Sequence, residues 1–134
     1  FDVFKIFPLD VGLLGAMTDV PASKLLVGDN CFTEFKGAFT ECYVNEQLAR
    51  IQIPTYYFSG NDTEIEIDFA VQTENRVIPI EVKSEESVRS KSLKTYIDKN
   101  PSLKGLRVSM KNYIDQGWME NIGLYAIEGF LRKS

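Results

Sequence analysis

Two apolar-rich runs of β-type residues flank a polar break in EIEIDFAVQTENRVIPIEVK, residues 64–83. This is the pattern of a β-hairpin turning at Thr73-Glu74-Asn75-Arg76. Side chains alternate faces along a strand, so Glu66 and Asp68 point one way, and Ile65, Ile67 and Phe69 the other. On the second strand Glu81 and Lys83 share a face, with Ile80 and Val82 opposite. A two-residue loop, Glu74-Asn75, closed by Thr73 opposite Arg76, places Asp68 against Glu81 and Glu66 against Lys83. One extra loop residue would break that register. Like charges directly opposite destabilise a sheet. A divalent cation held by carboxylate oxygens would relieve the cost. Alternating charges are also what any half-solvated antiparallel strand shows, so on pattern alone both readings stand.

Upstream, residues 33–51 have helical periodicity, with Thr33 as N-cap, Glu34 in the first turn and Pro54 beyond the end. Ala38, Glu41, Val44, Leu48 and Ile51 form one stripe, which puts Glu41 on an apolar face. Phe35, Phe39, Cys42 and Tyr43 cover the opposite side, so the N-terminal half is expected to be buried all round. A carboxylate there needs a basic partner, a hydrogen bond or a metal.

The remaining pattern predicts a strand at 3–8, a short helix or turn at 9–17, a second apolar piece at 22–27 and a loop at 28–30. A strand at 54–58 ends in a turn at 59–62. After the hairpin come a polar loop at 84–91 and a helix at 90–99 carrying Leu93, Tyr96 and Ile97 on one side. A strand at 104–110, a loop with aromatic anchors at 113–118, a strand at 121–127 and a terminal helix at 128–132 follow. The crossover helix at 90–99 makes the strand at 105–110 parallel to that at 77–83. The fold class is α/β: a mixed sheet flanked by helices, with an αβββαβ core.

A length of 134 residues fits a single domain, residues 1–134, with a lead-in at 1–30 and a core at 33–127. The chain begins inside a strand pattern, so it is expected to be a fragment of a longer protein. No apolar run approaches membrane-spanning length and there is no signal-peptide pattern. No membrane partner is expected. With no histidine, imidazole ligands, Ser-His and Cys-His pairs and an imidazole base are excluded. Cys31 and Cys42 are too few for structural zinc and are read as reduced core thiols, which fits the cytoplasm. No GxxxxGK[ST] loop occurs, so no nucleotide site of that kind is expected in this chain. The net charge of −4 argues against a nonspecific nucleic-acid binder. Its distribution is uneven: residues 83–111 carry eight basic against three acidic side chains, a local +5 that leaves −9 elsewhere. Such asymmetry marks either a phosphate-facing side or a solvated face.

An acidic residue in a first long helix (Glu41), an Asp on the middle strand (Asp68) and Glu81-Val82-Lys83 on the next resemble the PD-(D/E)XK nuclease superfamily. The Pro-Asp dipeptide of that superfamily is replaced by Ile67-Asp68. Within it, GAFTECYVNEQL at 37–48, EIDFAV at 66–71, IPIEVKS at 78–84, KSLKTY at 91–96 and FKIFPLDVGLL at 4–14 resemble a domain of unknown function. That domain ends prokaryotic AAA-type ATPases. The resemblance implies a restriction-endonuclease-like fold and a metal-dependent nuclease-like activity on DNA. Asp68, Glu81 and the Val82 carbonyl would bind Mg²⁺ or Mn²⁺. Lys83 would orient water or stabilise phosphate charge, and Glu41 would complete the site or hold Lys83. Glu66 would neighbour the site or pair with Lys83, and Ser84 and Ser92 could meet phosphate. The ATPase module of the same protein is the implied partner. The alternative is a catalytically inactive docking module for nucleic acid or protein. There the charges form an ion-pair network, with Lys83 on Glu66 or Glu41, and Tyr56, Tyr57, Tyr113 and Trp118 offer a partner surface.

Overall fold

The computed structural model describes residues 4–19, 33–60, 65–84 and 89–134, with only the backbone at 33 and 34. The elements run α1 (Val11–Thr18), α2 (Thr33–Arg50), β1 (Thr55–Ser59), β2 (Glu66–Gln72), β3 (Val77–Lys83) and α3 (Lys91–Lys99). They continue with β4 (Gly105–Ser109), β5 (Ile114–Asp115), β6 (Met119–Gly123), a 3₁₀ turn (Leu124–Ala126) and α4 (Ile127–Leu131). One mixed sheet has the order β1-β2-β3-β4-β6-β5. The β1-β2-β3 portion is antiparallel, β3-β4-β6 is parallel, and β5 returns antiparallel on the edge.

Local chemistry fixes the ends of the elements. Asp10 caps α1 by accepting the Leu13 N–H at 2.7 Å. Past α2, Gln52 takes a left-handed φ of 55° and donates its N–H to the Ala49 carbonyl, before Pro54 stops the chain from continuing as helix. In the hairpin Thr73 N–H meets the Arg76 carbonyl at 2.9 Å, and Thr73 Oγ1 accepts the Arg76 N–H. The expected register holds: Phe69 faces Ile80, Val71 faces Ile78 and Gln72 faces Val77.

Each face of the sheet buries its own cluster. Helices α2 and α4 cover the larger one, where Val44, Leu48, Ile127 and Leu131 pack on Phe69, Val71, Ile78, Ile80, Leu106 and Val108. Each such side chain taken fully from water stabilises the fold by roughly 1.5–3 kcal/mol. Helix α3 covers the smaller cluster through Leu93 and Ile97, one turn apart, against Ile67 and Met119. That contact needs Gly105: a Cβ there would stand 3.0 Å from Leu93. Strand β4, flanked by parallel neighbours and covered on both faces, is buried along its whole length.

Several expectations are corrected. The described part of the first expected strand, residues 4–8, is irregular. The N-terminal half of α2 is not buried all round: Phe35 is exposed, and Phe39 and Tyr43 are half-buried. Ile67 and Phe69 do not share a face. Tyr56 pairs with Ala70 and Phe58 with Ile67, so two steps on β1 meet three on β2, and the extra residue switches faces at Asp68. The segment expected as an aromatic loop contains β5. The last strand starts and ends earlier than periodicity implies, because Leu124–Ala126 turn into a 3₁₀ helix leading to α4. The apolar piece at 22–27, the loop at 28–30 and most of the turn at 59–62 lie outside the described residues. Among the described residues no helix is long and apolar enough to cross a membrane.

Candidate functional site

The β2–β3 register runs to Phe69–Ile80, and the β2 irregularity falls at Asp68, which reaches across to the Val82 N–H on β3. Glu81 pairs with Arg107 on β4, and Arg107 with Asn121 on β6. Three polar side chains, Glu81, Arg107 and Asn121, thus form one row across β3, β4 and β6, with Asp68 near enough to Glu81 to feel its charge.

Asp68 sits at the β2 irregularity. Its Oδ2 accepts the Val82 N–H at 2.7 Å, so a backbone donor of β3 orients the carboxylate. Burial pushes its pKa up to about 6. The Val82 N–H opposes that rise, Glu41 adds to it, Lys5 opposes it and Glu81 adds to it. The like-charge cost foreseen from the register is therefore present, though burial dominates.

The cation facing Asp68 is Lys5, from the irregular segment at 4–8. Its Nζ lies 3.1 Å from Glu66, 3.4 Å from Glu41 and 3.7 Å from Asp68. Burial lowers the Lys5 pKa, but the three carboxylates, led by Glu41, outweigh burial and raise it. Lys5 also forms the shared wall of two grooves. One, of about 240 Å³, includes Glu41 and Cys42, and the other, of about 250 Å³, includes Asp68 and Tyr57. Cys42 is buried and free.

Glu81 is almost fully buried. Its Oε1 lies 3.0 Å from Lys83 Nζ, while Oε2 has no hydrogen-bond partner among the described residues. Beside it, Arg107 donates Nε–H to Asn121 Oδ1 at 2.8 Å and reaches Ser90 Oγ at 3.4 Å. Ser109 donates to the same Asn121 oxygen at 2.8 Å. Asn121 Nδ2 donates in turn to the Lys111 and Asn112 carbonyls. Burial lowers the Arg107 pKa and Glu81 partly offsets that.

The expected residues thus fall into two groups. Glu41 and Asp68 meet around Lys5, and Glu81 pairs with Lys83. Lys83 pairs with neither Glu66 nor Glu41 as the docking alternative supposed: it pairs with Glu81, and Lys5 faces the other two. Sequence reasoning missed Lys5, whose signal was a single cation inside the apolar run FKIFP. It also missed Arg107 and Asn121 as site residues, whose signal was a polar side chain inside each of the strands expected at 104–110 and 121–127.

The donor set suits a hard divalent cation. It offers the carboxylate of Asp68 and, beside it, Glu81 with an orphaned buried oxygen. Among the described residues, no three acidic or cysteine side chains are gathered as a ready-made metal cage.

A family model, described as a domain of unknown function (DUF4143), matches residues 36–126, from the start of α2 through the 3₁₀ turn. No curated protein and no solved structure matches the chain. The match spans the strands that carry Asp68, Glu81 and Lys83, and it covers more than half of the sequence. The chain therefore belongs to the DUF4143 family of domains of unknown function.

Proposed function

We propose that this domain is a metal-dependent, nuclease-like phosphodiesterase acting on DNA, built on a restriction-endonuclease-like αβββαβ core and working beside an AAA-type ATPase module of the same protein. The observation that carries the reading is Asp68 bound to the Val82 N–H next to Glu81, with Lys83 on Glu81 and an unpartnered Glu81 oxygen buried beside it. Asp68, Glu81 and the Val82 carbonyl would hold Mg²⁺ or Mn²⁺. The ion would supply Lewis acidity and a bound water of lowered pKa. The chain's own groups have separate tasks. The Val82 N–H fixes the Asp68 carboxylate, and Glu81 steadies the Lys83 ammonium. Half-exposed Lys83 places positive charge where a phosphodiester gains negative charge during attack. Glu41 shapes the field around Asp68.

One specific observation favours a second reading, a docking module without chemistry. Lys5 already pairs with Glu41, Glu66 and Asp68, an internal ion-pair network. Exposed Tyr56 and Tyr113 would then serve a partner surface.

The deciding experiment incubates the chain with duplex, single-stranded and branched DNA in Mn²⁺ or Mg²⁺. The first reading predicts cleavage by the wild type and none by Asp68→Asn or Lys83→Ala. DNA binding without cleavage by the folded wild type would favour the docking module.

A further inference from the structure

We infer that β1 is an association edge: two copies of this chain pair β1 against β1, antiparallel about a two-fold axis at Tyr57, and join their sheets into one. The inference does not depend on the chemistry at Asp68 and Glu81.

The two edges of the sheet differ. Strand β5 is two residues long and carries Asp115, which Lys104 bridges at 3.0 Å. A short, charged edge is a poor template for pairing. Strand β1 runs for five residues, and residues 51–60 contain no charged side chain. It pairs with β2 on one side, and among the described residues no strand pairs with the other. Alternate residues of such a strand turn their N–H and carbonyl groups outward. The extra residue of the β1–β2 irregularity lies on β2, so β1 itself stays regular and its outer row is unbroken. What such a row accepts is another extended strand. Four of the five β1 residues are exposed.

The composition of the edge selects its own copy. About a two-fold axis at Tyr57, Thr55 faces Ser59 of the second copy, Tyr56 faces Phe58, and Tyr57 faces Tyr57. Tyr56 and Phe58 lie on the α3 side of the sheet, where Phe58 pairs with Ile67 and its ring lies 5.3 Å from Tyr96. Pairing therefore adds two Tyr–Phe contacts on that side. Aromatic pairs and hydroxyl pairs are favourable across strands, and in this register no like charges meet. Tyr56 and Phe58, exposed at 64% and 41%, lose apolar surface to water on association. Such an isologous contact closes on itself, so assembly stops at the dimer. A single pair of five-residue strands is a small interface, and a weak dimer with a Kd of about 100 µM is expected.

The test is sedimentation equilibrium of the chain over concentrations spanning that Kd, with hydrogen exchange followed over the same range. The wild type should pass from monomer to dimer, and exchange of the outward β1 amides should slow as it does. Thr55→Lys combined with Ser59→Lys sets lysine against lysine at both ends of the pairing and should weaken the dimer about tenfold. Thr55→Lys combined with Ser59→Glu sets lysine against glutamate and should restore it. Both positions are exposed, and the wild-type exchange readout does not depend on either variant folding. A wild type that stays monomeric throughout would overturn the inference. A dimer with unchanged β1 exchange, or one that both double variants weaken equally, would overturn it as well, because the contact would lie elsewhere or in another register.

Discussion

The two charged regions flanking Asp68 and Glu81 handle the same problem in opposite ways. Around Asp68, three carboxylates share one lysine on an irregular segment, and Glu66 remains 59% exposed. Around Glu81, charge is buried, and Arg107, Asn121, Ser109 and Ser90 form a hydrogen-bonded network rooted in two strands and a helix start. The difference teaches where the molecule is rigid and where it can change. A buried polar network is costly to break because every member left unpaired stays desolvated. Exposed Glu66 can lose its partner to water at modest cost, whereas Asp68 in the same cluster is mostly buried.

The sharpest way to break this comparison is Asn121→Ala. Asn121 is fully buried and makes four side-chain hydrogen bonds, two of them satisfying Arg107 and Ser109. Its removal is expected to cost about 3 kcal/mol in urea denaturation. A loss below about 1 kcal/mol would mean that the row is not the rigid half.

Asp68 gives a smaller effect with a definite sign. Its folded pKa of about 6 stands above the ordinary 3.8, so the folded state holds the proton more tightly than the unfolded chain. The favourable contribution of the protonated form is present below pH 3.8 and is lost as pH rises through about 6. Asp68→Asn removes that dependence. The stability of the wild type relative to this variant should therefore fall by about 2 kcal/mol between pH 3.5 and pH 7. Urea midpoints at the two pH values check it, and a rise in relative stability would contradict the burial of Asp68.

Lys5→Gln should cost about 2 kcal/mol at pH 7, less than Asn121→Ala, because Glu66 can turn to water while the mostly buried Asp68 loses its cation. Thermal melts of the two variants side by side compare the regions directly. Glu66→Gln should change stability by under about 0.5 kcal/mol, since its partner Lys5 keeps Glu41 and Asp68.

Much of this arrangement was legible in the sequence. The hairpin register followed from turn length and alternation, and the structure pairs Gln72 with Val77 and Phe69 with Ile80 as expected. Residues Leu93 and Ile97 announced the buried face of α3 through their spacing. The irregularity at Asp68 was not legible, because period-2 alternation carries no mark of an extra residue on one strand. For the same reason the face of Ile67 was misassigned. Lys5 lies 36 residues from Glu41 in the chain, and local pattern does not encode so distant an ion pair. The polar row was partly hidden because Arg107 and Asn121 each look like isolated interruptions until parallel pairing aligns them. The strand expected at 121–127 failed at Leu124, where apolar content continued but the chain turned toward α4.

The central claim is that Asp68 and Glu81 together hold a divalent cation. Mn²⁺ titration calorimetry on the wild type, Asp68→Asn and Glu81→Gln, each checked for folding, tests it most directly. The account predicts saturable binding by the wild type that both substitutions abolish. Binding that survives in either variant, or no binding by the folded wild type, would contradict it.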